Sequence, residues 1–232
     1  MRETTNENAH TEAPFVPALR FKWATKLYDG VMQYFVREDA LRRLTIAAIQ
    51  AKDGEKILDF GCGTGTLTTA IAASHQAISL HGYDIDHEVL TIAKEKALRF
   101  HFDAMPSFRR VDITDLARLP EEALKSFDCI TSSLVFHHLT GERKQKAFES
   151  IRRLMKPGGR LVLVDWGPGS NVGLRFAFWF VRMFDGFSVT RDNAQGRLPE
   201  MMTTAGFSNV RAKPLLNTFF GTIWLFEAFT PV

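Results

Sequence analysis

The sequence predicts a doubly wound α/β domain: a mostly parallel, seven-stranded sheet with helices on both faces and an antiparallel C-terminal hairpin. Three observations predict this fold class. Short apolar runs alternate with helical patterns from Gly54 onward, as in βαβ units whose sheet is buried on both faces. Two further strand-like runs follow the last helical pattern with no helix between them, so they must pair antiparallel. The length of 232 residues suits one such domain.

The predicted elements follow in a regular order. Strands are predicted at residues 56–60, 78–84, 108–113, 127–133, 160–166, 209–216 and 221–229. Helices are predicted at residues 64–73, 87–99 and 198–205. The turn KPGG, Lys156–Gly159, precedes the fifth strand, and Gly206 suits the end of the last helix.

The remaining segments differ in composition from this core. Residues 1–14 are polar and are expected to be disordered, which leaves residues 15–232 as a single domain. We divide that domain into a cap of two helices, a core, an aromatic helical insert, and a last helix with the hairpin, at residues 15–50, 55–166, 167–190 and 191–232.

Charge and cysteine content exclude several partners. The formal net charge is +3, with basic and acidic residues interspersed, so no basic stripe predicts a nucleic-acid partner. Cys62 and Cys129 lie far apart in apolar runs, which is typical of reduced, buried thiols in a cytoplasmic protein. We expect no bound metal, and the oligomeric state is left open.

The most informative stretch is Ile57–Thr68, with the sequence ILDFGCGTGTLT. A strand ends at Asp59 or Phe60, and glycines follow at positions 61, 63 and 65 before a helix begins. Such a loop brings backbone N–H groups close to a ligand. A dinucleotide-binding loop would need glycine at position 66, where threonine stands, so a nicotinamide oxidoreductase is disfavoured.

Acidic residues end the next two predicted strands. Asp84 ends the second, where a carboxylate can accept hydrogen bonds from the ribose hydroxyls of a nucleoside. Asp112 closes the third beside Ile113, where it could accept from an adenine amino group. A glycine loop and two acids at three successive strand ends predict a nucleoside cofactor.

These stretches resemble the successive motifs of class I S-adenosylmethionine-dependent methyltransferases. The resemblance rests on LDFGCGTG, GYDID, VDITDL, FDCITSSLVFHHL and KPGGRLVLVD. The flanking segments KLYDGVMQYFVREDALRRLTI and LPEMMTTAGFSNV are similar to the ubiquinone and menaquinone C-methyltransferase family and its relatives. One departure is that GVMQYFVRE replaces the polar stretch that quinone enzymes carry after the Tyr-Asp pair.

The resemblance implies S-adenosylmethionine as cofactor and a role for each matching residue. The cofactor's methionine end is assigned to Asp59, Gly61, Gly63 and Gly65. The ribose is assigned to Asp84 with Ile85, the adenine to Asp112 with Ile113, and the floor near the sulfonium to Ser132 or Ser133.

Two histidines are the candidate catalytic residues. His137 and His138 follow the fourth strand, at the edge of the sheet where the methyl group should lie. A histidine base suits an acceptor that must lose a proton, although both residues could instead be structural. Tyr28 and Asp29 in the cap are further candidates for the base, and the alternative is that either simply closes the lid over the site.

The segment Asn171–Phe187 predicts an aromatic helix capped by Ser170 or Asn171. Its basic residues, Arg175 and Arg182, share one stripe, and the helix is too short to span a bilayer. Either it is buried between sheet and cap, or Phe176, Trp179 and Phe180 form a lid over a lipophilic acceptor. In the second interpretation the arginines could contact membrane headgroups.

The sequence therefore predicts methyl transfer to a small lipophilic acceptor such as a quinone or phenol precursor. N-methylation of a phospholipid headgroup or another amine is the alternative within enzymes, and a non-catalytic cofactor-binding regulator is the alternative outside them. SSLVFHHL lacks the Asn/Asp-Pro-Pro-aromatic motif of DNA amino-methylating enzymes, and two separated cysteines do not suit an arsenite enzyme. The expected location is the cytoplasm, with peripheral membrane contact as a variant.

Overall fold

The computed structural model describes residues 38–75 and 77–232. The strands are β1 (Lys56–Phe60), β2 (Ser79–Asp84), β3 (Ser107–Arg110), β4 (Phe127–Ser133), β5 (Met155–Gly167), β6 (Ser208–Thr218) and β7 (Gly221–Phe229). The helices are α1 (Glu38–Ile49), α2 (Thr66–Ser74), α3 (His87–Ala97), α4 (Gly141–Leu154), α5 (Val172–Asp185), α6 (Arg191–Ala194) and α7 (Leu198–Thr204). A 3₁₀ turn at Phe136–His138 follows β4.

The seven strands form one sheet in the order β3-β2-β1-β4-β5-β7-β6. Strands β1 to β5 are parallel, and β7 pairs antiparallel with both β5 and β6. The predicted fold class is therefore confirmed. The strand order reverses between β1 and β4, and the carboxyl ends of strands at such a reversal open a ligand-binding crevice.

Apolar side chains cover both faces of the sheet. In β1, Leu58 and Phe60 pack into one hydrophobic cluster, and Ile57 packs into the other. All three side chains are inaccessible to solvent. Burial on both faces explains why this strand is apolar apart from Lys56 at its start and Asp59.

Some predicted boundaries were wrong for local reasons. Helix α2 begins at Thr66 rather than Thr64, because Gly65 caps it in a left-handed conformation with φ 70°. Strand β3 ends at Arg110 rather than Ile113, because Asp112 turns the chain by accepting a hydrogen bond from the Thr114 amide. Strand β5 begins at Met155 and includes the predicted turn KPGG. The sequence interpretation did not assign α4.

Of the predicted N-terminal cap, the structure describes α1. Leu41 and Ile49 of this helix are buried in the cluster that contains Ile57. Arg160 of β5 donates to the Ile49 carbonyl over 2.9 Å and pairs with Glu55, which ties the helix to the sheet. Residues 1–37, with the predicted disordered tail, the first cap helix, Tyr28 and Asp29, lie outside the described residues.

The predicted aromatic insert forms α5 and has two different faces. Asn171 caps it, accepting a hydrogen bond from the Leu174 amide, and Phe178 and Val181 are buried, with Phe178 against Trp166. The opposite face exposes three of the predicted lid side chains, Phe176, Trp179 and Phe180, by 71%, 45% and 45%. None of the described helices is long and apolar enough to cross a membrane.

A buried lysine holds α4 against the segment that follows α5. Lys144 is inaccessible to solvent, and its Nζ donates to the Val189 carbonyl and lies 3.5 Å from the Asp192 carboxylate. Because a desolvated ammonium is stable only with partners, these contacts fix α4 relative to α6.

Replacing this lysine should destabilise the fold strongly. Lys144→Met leaves the buried Asp192 carboxylate with Arg197 as its cationic partner and the Val189 carbonyl without the Lys144 donor, so we expect the free energy of unfolding to fall by about 2 kcal/mol in urea titrations. The control is Lys146→Met in the same helix, which removes an exposed pair with Glu142 and should leave the urea midpoint unchanged. Equal midpoints for both variants would contradict the role of Lys144.

Candidate active site

The glycine loop after β1 is packed against neighbouring side chains at Gly61 and Gly65 and has open space at Gly63. Gly61, Gly63 and Gly65 all have positive φ. A Cβ on Gly61 would lie 2.6 Å from Val135, and one on Gly65 would lie 2.9 Å from Ala93, whereas Gly63 has nothing within 4 Å. Gly63 therefore offers the open space that a ligand needs to approach the backbone.

Asp84 joins this loop to the end of β2. Its Oδ2 accepts a hydrogen bond from the Gly63 amide over 2.8 Å, and its Oδ1 accepts one from the Asp86 amide over 3.0 Å. An ionised carboxylate has about four lone-pair sites, so Asp84 retains acceptor capacity for a ligand hydroxyl.

Asp59 is a buried acid directly beneath the loop. It is 2% exposed and accepts a hydrogen bond from the Thr68 hydroxyl over 2.6 Å. Burial raises the pKa of Asp59 to about 7, the bond from Thr68 opposes that shift, and the charge of Asp84 adds to it. A cationic group such as the ammonium of methionine would fit this carboxyl, because it would compensate the desolvated charge.

The predicted adenine residues lie in the turn after β3. Asp112 Oδ1 accepts hydrogen bonds from the amide and hydroxyl of Thr114 and lies 3.7 Å from Arg143. Ile113 is buried, and the Ile85 carbonyl accepts a hydrogen bond from Arg110 over 2.9 Å. Both isoleucines adjoin the acids at this edge, and their contact with adenine stays a prediction.

Only one of the two predicted serines faces outward. Ser132 is inaccessible to solvent, and its hydroxyl donates to the Phe60 carbonyl over 2.7 Å. Ser133 is half-buried at the end of β4 and is therefore the better candidate for the floor of the cofactor site.

Beyond β4, the histidine pair meets the ends of β5 and α5. His137 is buried, and its Nδ1 donates to Asp165 over 2.8 Å. Its Nε2 lies 3.7 Å from the Asp185 carboxylate. His138 is exposed, and its ring centroid lies 3.9 Å from that of His137. The structure thus brings both predicted catalytic histidines to one cluster.

Opposing effects set the protonation of this cluster. Burial lowers the pKa of His137, but the adjacent carboxylates of Asp165 and Asp185 outweigh it, so the pKa is raised. Although His138 is exposed as a residue, desolvation of its ring and the charge of His137 lower the pKa of His138. Burial raises the pKa of Asp185, although His137 opposes the shift. Burial also acts to raise the pKa of Asp165, but His137 and two amide donors lower it overall.

Sequence reasoning missed Asp165, Asp185 and Asn193. Asp165 lies near the carboxyl end of β5, in the same kind of position that singled out Asp59 and Asp84. Asp185 ends α5, where a negative charge opposes the helix dipole. An acid at this unfavourable position in the sequence indicates that a cationic or hydrogen-bonding group compensates its charge. The side-chain amide of Asn193 donates to Asp165 and to the Trp166 carbonyl, which no sequence pattern indicated.

Thiol chemistry is absent from the described part of this edge. Cys62 and Cys129 are buried and free, and desolvation raises the pKa of both thiols. Neither is therefore a thiolate near neutral pH.

Comparison with known proteins identifies the domain that this edge belongs to. Residues 58–161 match a family model described as a methyltransferase domain. This stretch of the chain is thus similar to a methyltransferase domain, and the sheet around it has the fold of S-adenosylmethionine-dependent methyltransferases. Two solved structures with this fold contain S-adenosylhomocysteine or S-adenosylmethionine. The sequence-based assignment of the superfamily and of its cofactor is confirmed.

Two relatives and one solved structure show the extent of the similarity. An uncharacterised methyltransferase of Bacillus mycoides is 29% identical over 162 residues, covering 69% of this chain and 64% of the relative. The ubiquinone/menaquinone biosynthesis C-methyltransferase UbiE of Methylococcus capsulatus is 29% identical over 141 residues, covering 59% and 53%. The chain thus spans less than two thirds of the length of these relatives.

One structural neighbour is phosphoethanolamine N-methyltransferase 2 of Haemonchus contortus, solved in complex with phosphomonomethylethanolamine and S-adenosylhomocysteine. It superposes with a TM-score of 0.66 at 18% identity, covering 83% of this chain and 52% of the neighbour. At this identity the methyltransferase domain shares the fold of that enzyme.

Removing the Asp84 carboxylate should weaken cofactor binding. Asp84→Ala loses charge-assisted hydrogen bonds worth roughly 1.5–3 kcal/mol, so calorimetric titration should show a ten- to hundredfold loss of affinity for S-adenosylhomocysteine. The control, Asp86→Ala, removes the cap that accepts from the Glu88 amide and should keep the affinity. NAD should bind neither variant nor the wild type. Unchanged affinity in Asp84→Ala would remove Asp84 from the site.

The buried acid should make stability depend on pH. Burial holds the pKa of Asp59 at about 7, above its usual 3.8, so the wild-type domain loses stability as this carboxyl ionises with rising pH. At pH 8 we expect Asp59→Asn to unfold with a free energy about 2–4 kcal/mol higher than wild type. The gain should shrink steadily toward pH 5. Asp53→Asn, at an exposed turn, should match wild type throughout, and a pH-independent gain would refute the assignment to Asp59.

Proposed function

We propose that the chain transfers the methyl group of S-adenosylmethionine to a small lipophilic acceptor of the phenol or quinone-precursor type. One observation carries the proposal. Val135 packs behind Gly61 of the cofactor loop and precedes His137 by two residues. The segment that carries the two histidines thus contacts the glycine loop at one edge of the sheet.

The residues at this edge divide into two sets. Asp59, Gly63 and Asp84 hold the cofactor, which when bound supplies an electrophilic methyl carbon whose bond to sulfur breaks as the acceptor's lone pair forms the new bond. His137 and His138 stand on the acceptor side. The chain's main task is then to hold the acceptor in line and exclude water, because position alone supplies much of the rate of such a displacement.

The aromatic helix supports a lipophilic acceptor. Asp185, in the histidine cluster, ends α5, and the same helix carries the exposed side chains of Phe176, Trp179 and Phe180. We assign this face, with Tyr28, to a lid over the acceptor. A face of this composition also suits contact with the surface of a membrane.

A cavity beside α5 favours one alternative acceptor. It has a volume of about 410 Å³ and is lined by Arg175, Phe178 and Arg182, among others. Two guanidinium groups suit a phosphate, so a phospholipid or phosphate ester that carries an amine is the second candidate substrate. N-methylation would then replace methylation at carbon or oxygen.

A methyl-transfer assay with both acceptor classes tests the proposal. Purified chain and S-adenosylmethionine carrying a labelled methyl group are incubated with anionic vesicles that contain either hydrophobic phenols and quinols or amine-headgroup lipids. We expect label in the phenol or quinol product, an equal amount of S-adenosylhomocysteine, and co-sedimentation of the chain with the vesicles at low salt.

Variants and assay outcomes distinguish the lipophilic acceptor, the amine acceptor and the non-catalytic regulator. At subsaturating cofactor, Asp84→Ala should lower turnover at least tenfold, and Asp86→Ala should not. Label in the amine lipids alone would favour the alternative substrate. Tight cofactor binding without turnover on either class would favour a non-catalytic regulator and overturn the proposal.

A further inference from the structure

We infer that His137, His138 and Asp185 form a binding site for one divalent transition-metal ion, best matched to zinc. Each side chain offers one ligand atom, and these atoms all lie within 4.8 Å of one another. His137 and His138 come from the 3₁₀ turn after β4, and Asp185 comes from the end of α5. The sequence did not indicate this site, because the carboxylate lies far from the histidines along the chain.

The ligand atoms have no competing hydrogen bonds. Within residues 38–75 and 77–232, no hydrogen bond reaches the His138 ring or the Asp185 carboxylate. The Asp185 side chain is only 4% exposed. A carboxylate removed from water is costly unless a cation or donors compensate it, so this arrangement calls for a positive charge between the three side chains.

Asp165 orients His137 for this role. Because a carboxylate accepts, the ring donates from Nδ1 over 2.8 Å, so Nε2 faces Asp185 at 3.7 Å and can hold either a proton or a metal ion there. Two acceptors that face each other repel unless a proton or an ion lies between them. A carboxylate behind a ligating histidine is the usual support of such a ligand in metal sites.

Charge and donor type favour a transition metal. The nearby Lys144 is paired with Asp192, which leaves the charges of Asp165 and Asp185 available to a cation. Two imidazoles and one carboxylate suit zinc, whereas magnesium and calcium prefer oxygen ligands. Ligand atoms on a tetrahedral zinc lie about 3.4 Å apart, so small rotations of these side chains would close the site.

Three protein ligands leave one coordination position open. If the proposed function holds, that position takes an acceptor oxygen. The ion would lower the pKa of this hydroxyl, its proton would leave to solvent, and the oxyanion would attack the methyl carbon, directly or through the carbon next to it in the ring. The role toward the acceptor rests on the proposed function, whereas ion binding rests on the geometry alone.

Metal titration of the whole, untagged chain tests the site. The protein is treated with a chelator, exchanged into metal-free buffer, and titrated calorimetrically with Zn²⁺. Co²⁺ serves as a spectroscopic probe of coordination. We expect one ion per chain and an absorption spectrum typical of nitrogen and oxygen ligands. His138→Ala and Asp185→Asn should each weaken Zn²⁺ binding at least tenfold.

A matched variant excludes surface binding. His101→Ala removes an exposed histidine that is not part of the cluster, and this variant should bind Zn²⁺ as wild type does. Thermal unfolding and S-adenosylhomocysteine titration show whether each variant is folded. Asp165→Asn supplies a second test, because loss of the supporting carboxylate should weaken binding about ten- to hundredfold while His137 remains.

The outcomes separate this inference from the proposed function. Absent, non-stoichiometric or variant-independent binding would overturn the site, even if methyl transfer is found. Stoichiometric binding lost in His138→Ala and Asp185→Asn supports it, even if the acceptor is still unknown. If methyl transfer is found and the chelated and reloaded proteins turn over equally, the role toward the acceptor is overturned.

Discussion

The carboxylate of Asp165 accepts four hydrogen bonds, three of them from residues that are distant in sequence. The donors are the backbone amides of Phe136 and Trp166, Nδ1 of His137 and Nδ2 of Asn193. Because the carboxylate is inaccessible to solvent, each lost donor would leave a desolvated lone pair. The segment after β4, the end of β5 and helix α6 therefore depend on the same carboxylate for their relative positions. Loss of one donor is expected to disturb all three.

This network couples to the cofactor loop through short contacts. Val135 packs against Gly61, and the amide of the next residue, Phe136, donates a hydrogen bond to Asp165. On the far side, Lys144 fixes the segment that carries Asn193 by holding Asp192. Cofactor loop, histidine cluster and buried lysine thus form one continuous chain of packed contacts. A substitution within it is expected to affect both ligand binding and stability.

Local patterns predicted the sheet and the cofactor edge, and they did not predict the acceptor side. The apolar run of β1, the loop glycines and Asp84 are each visible within a few residues, because strand period and positive φ are local properties. Asp185 meets His137 only through the packing of α5 on the sheet, so no window of sequence contains the pair. The boundary of β3 was wrong for a related reason, since the side chain of Asp112 competes with the strand for the backbone.

The order of the last strands has a consequence for how the chain folds. β7 follows β6 in sequence but lies between β5 and β6 in the sheet. During synthesis the edge of β5 therefore has no partner strand until β7 has emerged from the ribosome. An unpaired apolar edge invites association with other chains. The nascent protein would spend this interval exposed to aggregation, and it is then that a chaperone would be most useful.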